Sequence, residues 1–420
     1  MNAPVTLRRE FLFLQGPPGP FFRDLAAALV EHGCGVHRIN LSGGDCYDWP
    51  DEATNYRGMK RNWPMFLDRF LRARGITDMV LFGDCRPLHQ TALRIAQLRG
   101  VHIHVFEEGY IRPDWMTLER DGVNGHSPME RNPEVIRAEA RRLPAVPQLP
   151  PITADFKRRA RDSYWHYHHV FTRRWQFPFY RTHRPGSLLL DAFGWLWRLA
   201  TRARKQRQAE QTLAGIEGRE FFILPLQLSG DFQIRHHSPF GSMSTALDYV
   251  LDSFAHYAPA ETVLLVKAHP LDSSYTNWRA RLAASARRLG IKDRVFYIDG
   301  GDLDALSATA KGMVCVNSTS ATLALEAGTP VAVLGDAIYD IRGITHWGGL
   351  DSFWSRPTVP DAELWDAFKR VLHARCLVRG GLASASANAI LVRNSVARLL
   401  AEDPAPDIAH AAMPAMRAFG

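Results

Sequence analysis

Short apolar, β-branched runs alternate with amphipathic helical segments along most of this chain, and this alternation restricts the fold more than any other feature. Strands are predicted at residues 11–15, 36–41, 78–83, 101–107, 221–227, 262–267, 294–298, 313–316 and 330–334. Helices are predicted at residues 21–33, 63–74, 88–100, 244–256, 275–290, 321–327, 362–373 and 384–401. Such an order implies parallel sheets with loops at the strand ends. We therefore predict an α/β fold with two Rossmann-like domains that face each other across a cleft.

Two changes in composition divide the chain. The proline-rich stretch at residues 144–151 breaks regular structure, and residues 155–207 are rich in basic and aromatic side chains. The predicted organisation is a Rossmann-like domain, a basic aromatic helical insertion, a second Rossmann-like domain that ends with the last two predicted helices, and a loose tail. Their bounds are 1–150, 151–215, 216–403 and 404–420.

The overall composition is that of a globular protein with an anionic partner. The chain has 420 residues, 46% of them apolar, and a net charge of +8. Nucleic acid, a nucleotide, an acidic sugar or a lipid surface would each suit this charge. No segment approaches the roughly 20 apolar residues of a membrane span, and the start, MNAPVTLRRE, lacks the apolar core of a secretory signal. We expect the protein to stay in the cytoplasm, with its five scattered cysteines reduced.

A polar corner lies between the predicted strand at 313–316 and the helix at 321–327. It consists of Asn317, Ser318, Thr319 and Ser320. Backbone N–H groups at a helix start and three adjacent hydroxyls favour a bound phosphate. The alternative is that the hydroxyls only cap the helix.

A second polar group follows the strand at 262–267. His269 lies just beyond this strand, and Pro270 prevents the strand from continuing. Ligands of open α/β sheets bind at the carboxyl ends of the strands, where a histidine can donate to a phosphate. An ordinary histidine at a strand end is the alternative, but the polar corner on the same sheet edge favours a binding site.

Three carboxylates are candidates for chemistry. Glu107 and Glu108 end the strand at 101–107, and Asp231 follows the strand at 221–227. One carboxyl group that acts as acid and base, and another that acts as nucleophile or charge stabiliser, would serve glycosyl transfer with retention. Capping of loops is the alternative for each residue.

Other motifs exclude several kinds of chemistry. Asp302 and Asp304 form a DxD pattern, but they precede a helical run, so we interpret them as N-capping residues rather than metal ligands. The sequence contains no GxGxxG fingerprint, no GxxxxGK[ST] loop and no zinc-ligand spacing. No metal site and no cofactor are predicted.

Six stretches together resemble the capsule polysaccharide synthesis family, and specifically its single-module KpsS-type β-Kdo transferases. They are FLFLQGPPGPFFRDLA, RINLSGGD, FEEGYIRPDW, PLQLSGDFQIRHHSPF, VKAHP and NSTSATLALEAGTPVAVLG. The resemblance implies a GT-B-like, metal-independent transferase that retains the donor's β configuration. It would move Kdo from CMP-Kdo to a lysophosphatidylglycerol-type acceptor, and so start the poly-Kdo linker of a capsular polysaccharide. This reaction takes place at the cytoplasmic face of a Gram-negative inner membrane.

The resemblance also implies roles for single residues. KpsC-type relatives have Glu-Asp-Gly where this chain has Glu107-Glu108-Gly109, which implies Glu108 as acid/base, with Glu107 as the alternative, and Asp231 as nucleophile. The N-terminal domain would hold the acceptor and the C-terminal domain the donor. The implied donor-binding residues are Gln227, Lys267, His269, Pro270, Asn317, Ser318, Thr319, Ser320 and Glu326. Arg112 and Arg235 are candidates for the Kdo carboxylate or the acceptor, and Arg112 would equally pair with a neighbouring acid.

The partners expected on this basis are CMP-Kdo, a lysophospholipid, the anionic inner-membrane surface and a KpsC-type transferase, but no nucleic acid. Residues 155–207 would dock on the membrane, because arginines favour an anionic leaflet and aromatic rings favour the headgroup level. Alternatively, these aromatics pack between the domains. Two other functions remain open: a GT-B transferase that uses CMP-sialic acid or a UDP-sugar, and a non-catalytic basic membrane adaptor of a capsule assembly complex.

Overall fold

The computed structural model describes residues 8–182, 188–228, 234–235, 237–270, 272 and 276–401. The predicted nucleophile Asp231 lies outside these residues. The chain forms two compact units. The described residues of the first unit are 8–129, 145–182 and 371–401, and those of the second fall within 130–144 and 184–370.

The strands and helices follow the predicted alternation. The strands are β1 Glu10–Phe13, β2 Gly35–Asn40, β3 Thr54–Asn55, β4 Asp78–Phe82, β5 His102–Glu108, β6 Trp115–Arg120, β7 Phe221–Pro225, β8 Val263–Lys267, β9 Val295–Ile298, β10 Gly312–Cys315, β11 Val331–Val333 and β12 Leu377–Arg379. The helices are α1 Phe21–Glu31, α2 Gly43–Asp48, α3 Trp63–Ala73, α4 Pro87–Leu98, α5 Pro133–Ala140, α6 Phe156–Thr172, α7 Leu188–Gly215, α8 Met243–Tyr257, α9 Trp278–Arg288, α10 Leu303–Thr309, α11 Ala321–Glu326, α12 Leu350–Phe353, α13 Ala362–Arg375 and α14 Ala385–Leu400. Every predicted strand and helix is confirmed, with its ends within a few residues of the prediction.

The first unit contains a seven-stranded sheet in the order β12-β6-β5-β4-β1-β2-β3. Strands β1 to β5 are parallel, β6 pairs antiparallel with β5, and β12 pairs antiparallel with β6. The strand order reverses between β1 and β4. In open α/β sheets such a reversal opens a crevice at the carboxyl ends of the strands, where ligands bind.

The two faces of this sheet bury different side chains, because successive residues of a strand point to opposite faces. Phe11, Phe13, Phe82 and Phe106 pack with residues of α1 and α14 on one face. On the other face, Leu12, Leu14, Met79, Leu81, Ile103 and Val105 pack with residues of α3 and α4. The alternation along β5 therefore decides where its last two residues, Glu107 and Glu108, point.

The second unit contains a five-stranded parallel sheet in the order β11-β10-β7-β8-β9. Its order reverses between β7 and β10, in the same way as the first sheet. Buried residues of the strands, such as Phe222 and Leu264, pack with Val250 and Phe254 of α8 and with Trp354. The prediction of an α/β chain with two Rossmann-like units is confirmed.

The unit boundaries differ from the predicted ones. The structure assigns residues 130–144 to the second unit and residues 145–182 to the first, so the basic aromatic segment is divided between the two. The last helix does not close the second unit as predicted, because β12 pairs with β6 and α14 packs on α1 in the first unit. A three-residue strand gives too weak a sequence pattern to predict this return.

Helix α6 is fixed tightly on the first unit by contacts that require glycine. A Cβ atom at Gly43 would lie 2.3 Å from the carbonyl oxygen of His169, and one at Gly44 would lie 2.7 Å from the His166 ring. His166 is buried and its Nδ1 lies 2.6 Å from a carboxylate oxygen of Asp48. Helices α2 and α6 therefore approach each other at backbone distance.

Replacing Gly43 with Ala is expected to lower the free energy of unfolding by about 1–3 kcal/mol, because the methyl group would overlap backbone atoms of α6. Gly215→Ala is the matched control. It adds the same methyl group at the end of α7, where no atom lies within 4 Å, so the change should stay within about 0.5 kcal/mol. Urea unfolding of both variants measures the difference. Equal stability of the two variants would show that the close approach of α2 and α6 is not maintained.

Candidate functional site

The two glutamates that end β5 point to opposite faces of the first sheet. Glu107 continues the face of Ile103 and Val105, whereas Glu108 continues the face of His104 and Phe106. Their neighbours on the sheet are Thr117 and Met116 of β6. Both carboxylates lie at the carboxyl end of β5, as predicted, but the two groups have different surroundings.

Glu107 lies where β4 leaves the sheet. The register that pairs Phe82 with Phe106 brings Gly83 level with Glu107. Gly83 has a φ of 72°, and a Cβ atom there would lie 3.2 Å from Oε2 of Glu107. Because the chain has no side chain at this point, the carboxylate fits against the turn that leads into α4.

The surroundings of Glu107 give it a nearly neutral pKa. Burial raises the pKa of Glu107 to about 7, and the negative charge of Glu108 adds to this effect, whereas Arg86 opposes it. His89, whose Nδ1 lies 2.7 Å from the Gly83 carbonyl oxygen, adds no positive charge, because burial lowers its pKa to about 3. A carboxyl group with such a pKa can accept and return a proton near neutral pH.

Glu108 is engaged in an ion pair. Arg159 on α6 donates a hydrogen bond from Nη2 to the Glu108 carboxylate. Both side chains are about one-third exposed. Sequence reasoning missed this partner, because Arg159 is one of many arginines in a basic segment and no local pattern distinguishes it.

A buried polar network lies beside the reversal point of the first sheet. Gln15, which follows β1, donates through Nε2 to the Asp45 carboxylate at 3.2 Å and to the hydroxyl of Tyr180 at 3.1 Å. Arg38 lies 3.4 Å from Asp45, and burial lowers the pKa of this guanidinium. Residues 43–48, which follow β2, therefore form a short helix that holds the buried carboxylate of Asp45. Its sequence signal is Ser42, whose Oγ accepts from Asp45 N as an N-cap.

In the second unit, Gln227 and Asn317 meet at the reversal point between β7 and β10. The register pairs Gly312 with Phe222 and Met313 with Ile223, and the same offset brings Asn317 level with Gln227. Gln227 Nε2 donates to Asn317 Oδ1 at 2.9 Å, and Asn317 N donates to Gln227 Oε1 at 3.1 Å. Both side chains are buried. The two residues come from separate parts of the predicted donor-binding set, and the structure brings them together.

The remaining residues of the polar corner surround this pair. Asn317 Nδ2 donates to the carbonyl oxygen of His237 at 3.1 Å, and the hydroxyls of Ser318 and Ser320 lie 2.8 Å apart. Ser320 occupies the N-cap position of α11 without a capping hydrogen bond from its side chain. The serines and Thr319 are partly exposed. Hydroxyls at the carboxyl edge of a parallel sheet suit a phosphate or a sugar hydroxyl.

The predicted residues on β8 lie on the neighbouring strand of the same edge. Lys267 is the last residue of β8 and is buried. His269 is partly buried, Pro270 is exposed, and the carbonyl oxygen of His269 accepts from Asp272 N at 3.1 Å. Because β8 pairs with β7, these residues and Gln227 leave adjacent strands.

Other predicted residues lie elsewhere or have structural partners. Glu326, at the far end of α11, accepts from Lys369 Nζ at 2.8 Å and from Trp365 Nε1 at 2.8 Å, so the structure does not bring it to the Gln227–Asn317 pair. Arg112 is exposed and donates to the carbonyl oxygen of Gly109 at 3.3 Å, and Arg235 is exposed. The capping role predicted for the DxD pattern is confirmed, because Asp302 accepts from Asp304 N at 3.0 Å at the start of α10.

Comparison with known proteins identifies the family. The profile of capsule polysaccharide biosynthesis proteins matches residues 77–382. The chain belongs to this family. KpsS, a capsule polysaccharide export protein of Escherichia coli, is 33% identical over 373 residues, which cover 87% of this chain and 94% of KpsS. LipB, a capsule polysaccharide modification protein of Neisseria meningitidis serogroup B, is 36% identical over 375 residues, which cover 86% of this chain and 88% of LipB.

One solved structure with a similar fold is that of a transferase. The β Kdo 2,7 transferase of Thermosulfurimonas dismutans KpsC matches 86% of this chain and 90% of its own chain, with a TM-score of 0.44 and 15% sequence identity. Over the described residues of the present chain, no helix combines the length and the apolar character needed to cross a membrane.

Proposed function

We propose that this member of the capsule family is a retaining β-Kdo glycosyltransferase. It transfers Kdo from CMP-Kdo to a lysophosphatidylglycerol-type acceptor, and so starts the poly-Kdo linker of a capsular polysaccharide. The observation that carries the proposal is Glu107, a carboxyl group with a pKa of about 7 at the ligand-binding edge of the first sheet. The family supplies the polysaccharide chemistry in which such a group would act.

The proposed reaction consists of two displacements. In the first, the Asp231 carboxylate attacks the anomeric carbon of Kdo, the bond from this carbon to the phosphate oxygen breaks, and CMP leaves with the electron pair. In the second, an acceptor hydroxyl attacks the same carbon, Glu107 takes the hydroxyl proton, and Asp231 is released as a carboxylate. Two inversions retain the β configuration. The role of Asp231 rests on the sequence resemblance alone.

Glu107 fits the role of base better than Glu108. A base must be ionised before it takes a proton and should have a pKa near the working pH. Burial gives this property to Glu107, whereas the Glu108 carboxylate is bound by Arg159. We therefore assign the proton transfer to Glu107 and a positioning role to Glu108, since its ion pair holds α6 beside the reacting edge.

The second unit is proposed to bind the CMP part of the donor. The Gln227–Asn317 pair, the adjacent hydroxyls of Ser318, Thr319 and Ser320, and His269 on the neighbouring strand support this assignment. Amide and hydroxyl groups would hold the phosphate and the ribose, and His269 would donate to the phosphate. The protein would act at the cytoplasmic face of the inner membrane, together with a KpsC-type transferase that extends the linker.

Replacing His269 with Ala is expected to weaken CMP binding about 10-fold or more, because one hydrogen bond to a charged phosphate is lost. His256→Ala is the matched control, since His256 is an exposed residue of α8 whose Nδ1 lies 2.8 Å from the Asp252 carbonyl oxygen of the same helix. Calorimetric titration with CMP, and donor hydrolysis with CMP-Kdo, CMP-sialic acid and a UDP-sugar, test the assignment. Unchanged CMP affinity in the His269 variant, or preference for another donor, would contradict it.

A further inference from the structure

The outer face of α6 and the turn that follows it expose several large aromatic side chains. Trp175 is 78% exposed, Phe171 is 68% exposed and Tyr164 is 63% exposed. Trp165, Phe179 and Tyr47 of α2 are also exposed. We call these six residues the aromatic surface. Large exposed aromatics concentrated within one short segment mark an interaction site rather than ordinary surface composition.

The helical spacing separates this surface from the packed side of α6. Tyr164 and Phe171, seven residues apart, share one stripe of the helix, and the ring of Trp165 lies 5.3 Å from that of Tyr164. The opposite stripe carries Arg159 and His166, which bind Glu108 and Asp48. Two polar side chains of α6 therefore face the protein, whereas the rings of Tyr164 and Phe171 face outwards.

Basic residues surround the aromatic surface. Between residues 155 and 182 the chain has seven Lys and Arg residues against two Asp residues. Arg161, Arg174 and Arg181 are exposed, whereas Asp155 caps α6 and Asp162 is mostly buried. Arginines attract anionic headgroups, and Trp and Tyr rings favour the interface between headgroups and acyl chains.

We propose that the aromatic surface, with Arg161, Arg174 and Arg181, docks on an anionic lipid bilayer and holds the first unit at a fixed orientation to it. The orientation is fixed because residues on the inner side of the aromatic surface are held by the rest of the first unit. Phe177 in the turn is buried, Tyr180 accepts from Gln15 at the reversal point of the first sheet, and Arg159 binds Glu108. The lipid-facing rings and the reacting edge of β5 thus belong to one rigid assembly. The inference rests on the proposed function only for the identity of the lipid substrate.

Vesicle binding without any donor tests the inference separately from catalysis. The chain with Arg174→Glu and Arg181→Glu should bind vesicles of equal parts phosphatidylglycerol and phosphatidylcholine at least about 30-fold more weakly than wild type at low salt. The chain with Arg287→Glu and Arg288→Glu is the matched control. It changes net charge equally at two exposed positions of α9, and it should bind as wild type does.

The aromatic contribution is tested with Phe171→Ala and Trp175→Ala together, and Tyr257→Ala, an exposed ring of α8, is the control. The double variant should lose vesicle binding even at moderate salt, while its CMP affinity and its unfolding midpoint stay unchanged. Wild-type vesicle binding by both the arginine and the aromatic variants would overturn the inference, and so would tighter binding of the wild type to single-stranded nucleic acid than to the vesicles. If vesicle binding changes as expected but no Kdo is transferred, the results support the docking surface and contradict the proposed function.

Discussion

Replacing Glu107 with Gln is expected to lower the rate of Kdo transfer about 10²- to 10⁴-fold, which is the usual contribution of a positioned proton acceptor. Glutamine has nearly the same shape as the glutamic acid side chain but cannot take a proton from the acceptor hydroxyl. CMP binding should not change, because the proposed donor-binding residues follow strands of the second sheet. Transfer rates under saturating donor, together with CMP titration, measure the two effects separately.

The pH dependence of kcat/KM provides a second test of the role of Glu107. Only ionised Glu107 accepts a proton, so kcat/KM of the wild type should rise with pH and level off above about 7. The contribution of Glu107 to the free energy of unfolding should change with pH in the opposite direction. Because burial raises the pKa of Glu107, its contribution to stability is present below the unfolded-state pKa of about 4.5 and is lost as pH rises through about 7. The Glu107→Gln variant should lack both trends.

Glu108→Gln is the variant that distinguishes the two carboxylates. It removes the ion pair with Arg159 but leaves Glu107 in place, so we expect a smaller loss of rate. The pH profile should keep its shape and move to lower pH, because the negative charge of Glu108 no longer raises the pKa of Glu107. A large loss in Glu108→Gln with nearly normal transfer in Glu107→Gln would reverse the roles of the two glutamates.

Replacing Gln227 with Ala is expected to destabilise the second unit by about 2 kcal/mol or more and to weaken CMP binding. The change removes both hydrogen bonds with Asn317, whose backbone N–H and side-chain oxygen are buried. A buried polar group left without a partner costs about 1–3 kcal/mol. The same amide pair joins the ends of β7 and β10, so its loss should also disorder the polar corner that follows β10.

Gln206→Ala provides the comparison for this variant. Gln206 is an exposed residue of α7 whose side chain also makes two hydrogen bonds, to Glu210 and from Gly301 N. Because these groups remain solvated, its replacement should change the free energy of unfolding by no more than about 0.5 kcal/mol. Urea unfolding measures the free energy of unfolding of both variants. Similar losses of stability would mean that the buried Gln227–Asn317 pair stabilises the protein no more than an exposed pair does.

The sequence predicted those parts of the molecule that local patterns determine. Alternating apolar runs predicted the strands and the two parallel sheets, whereas the strand orders and their reversal points come from the structure. The family resemblance implied that Asn317 and Gln227 bind the same donor, but only the register of β7 and β10 shows that they bind each other. Residue contacts across adjacent strands depend on that register, which a strand pattern alone does not fix.

Contacts between residues that are far apart in the sequence could not be predicted from local patterns. The strand Leu377–Arg379 pairs with β6 although some 250 residues separate them, and its three residues carry no distinct pattern. The pair of Arg159 with Glu108 has a similar origin, since it depends on how α6 packs over Gly43 and Gly44. The same packing divides the basic aromatic segment, whose first part belongs to the first unit rather than to a separate insertion.

We propose that this protein transfers Kdo from CMP-Kdo to a lysophospholipid and retains the β configuration of the donor. The most direct test is to incubate the purified protein with CMP-Kdo and a fluorescent lysophosphatidylglycerol and to analyse the lipid product by mass spectrometry and by NMR of its anomeric centre. We expect a lipid that carries Kdo in β linkage, together with release of CMP. An α-linked product would contradict the two-displacement mechanism, and an unmodified lipid after full exposure to CMP-Kdo would contradict the proposed function itself.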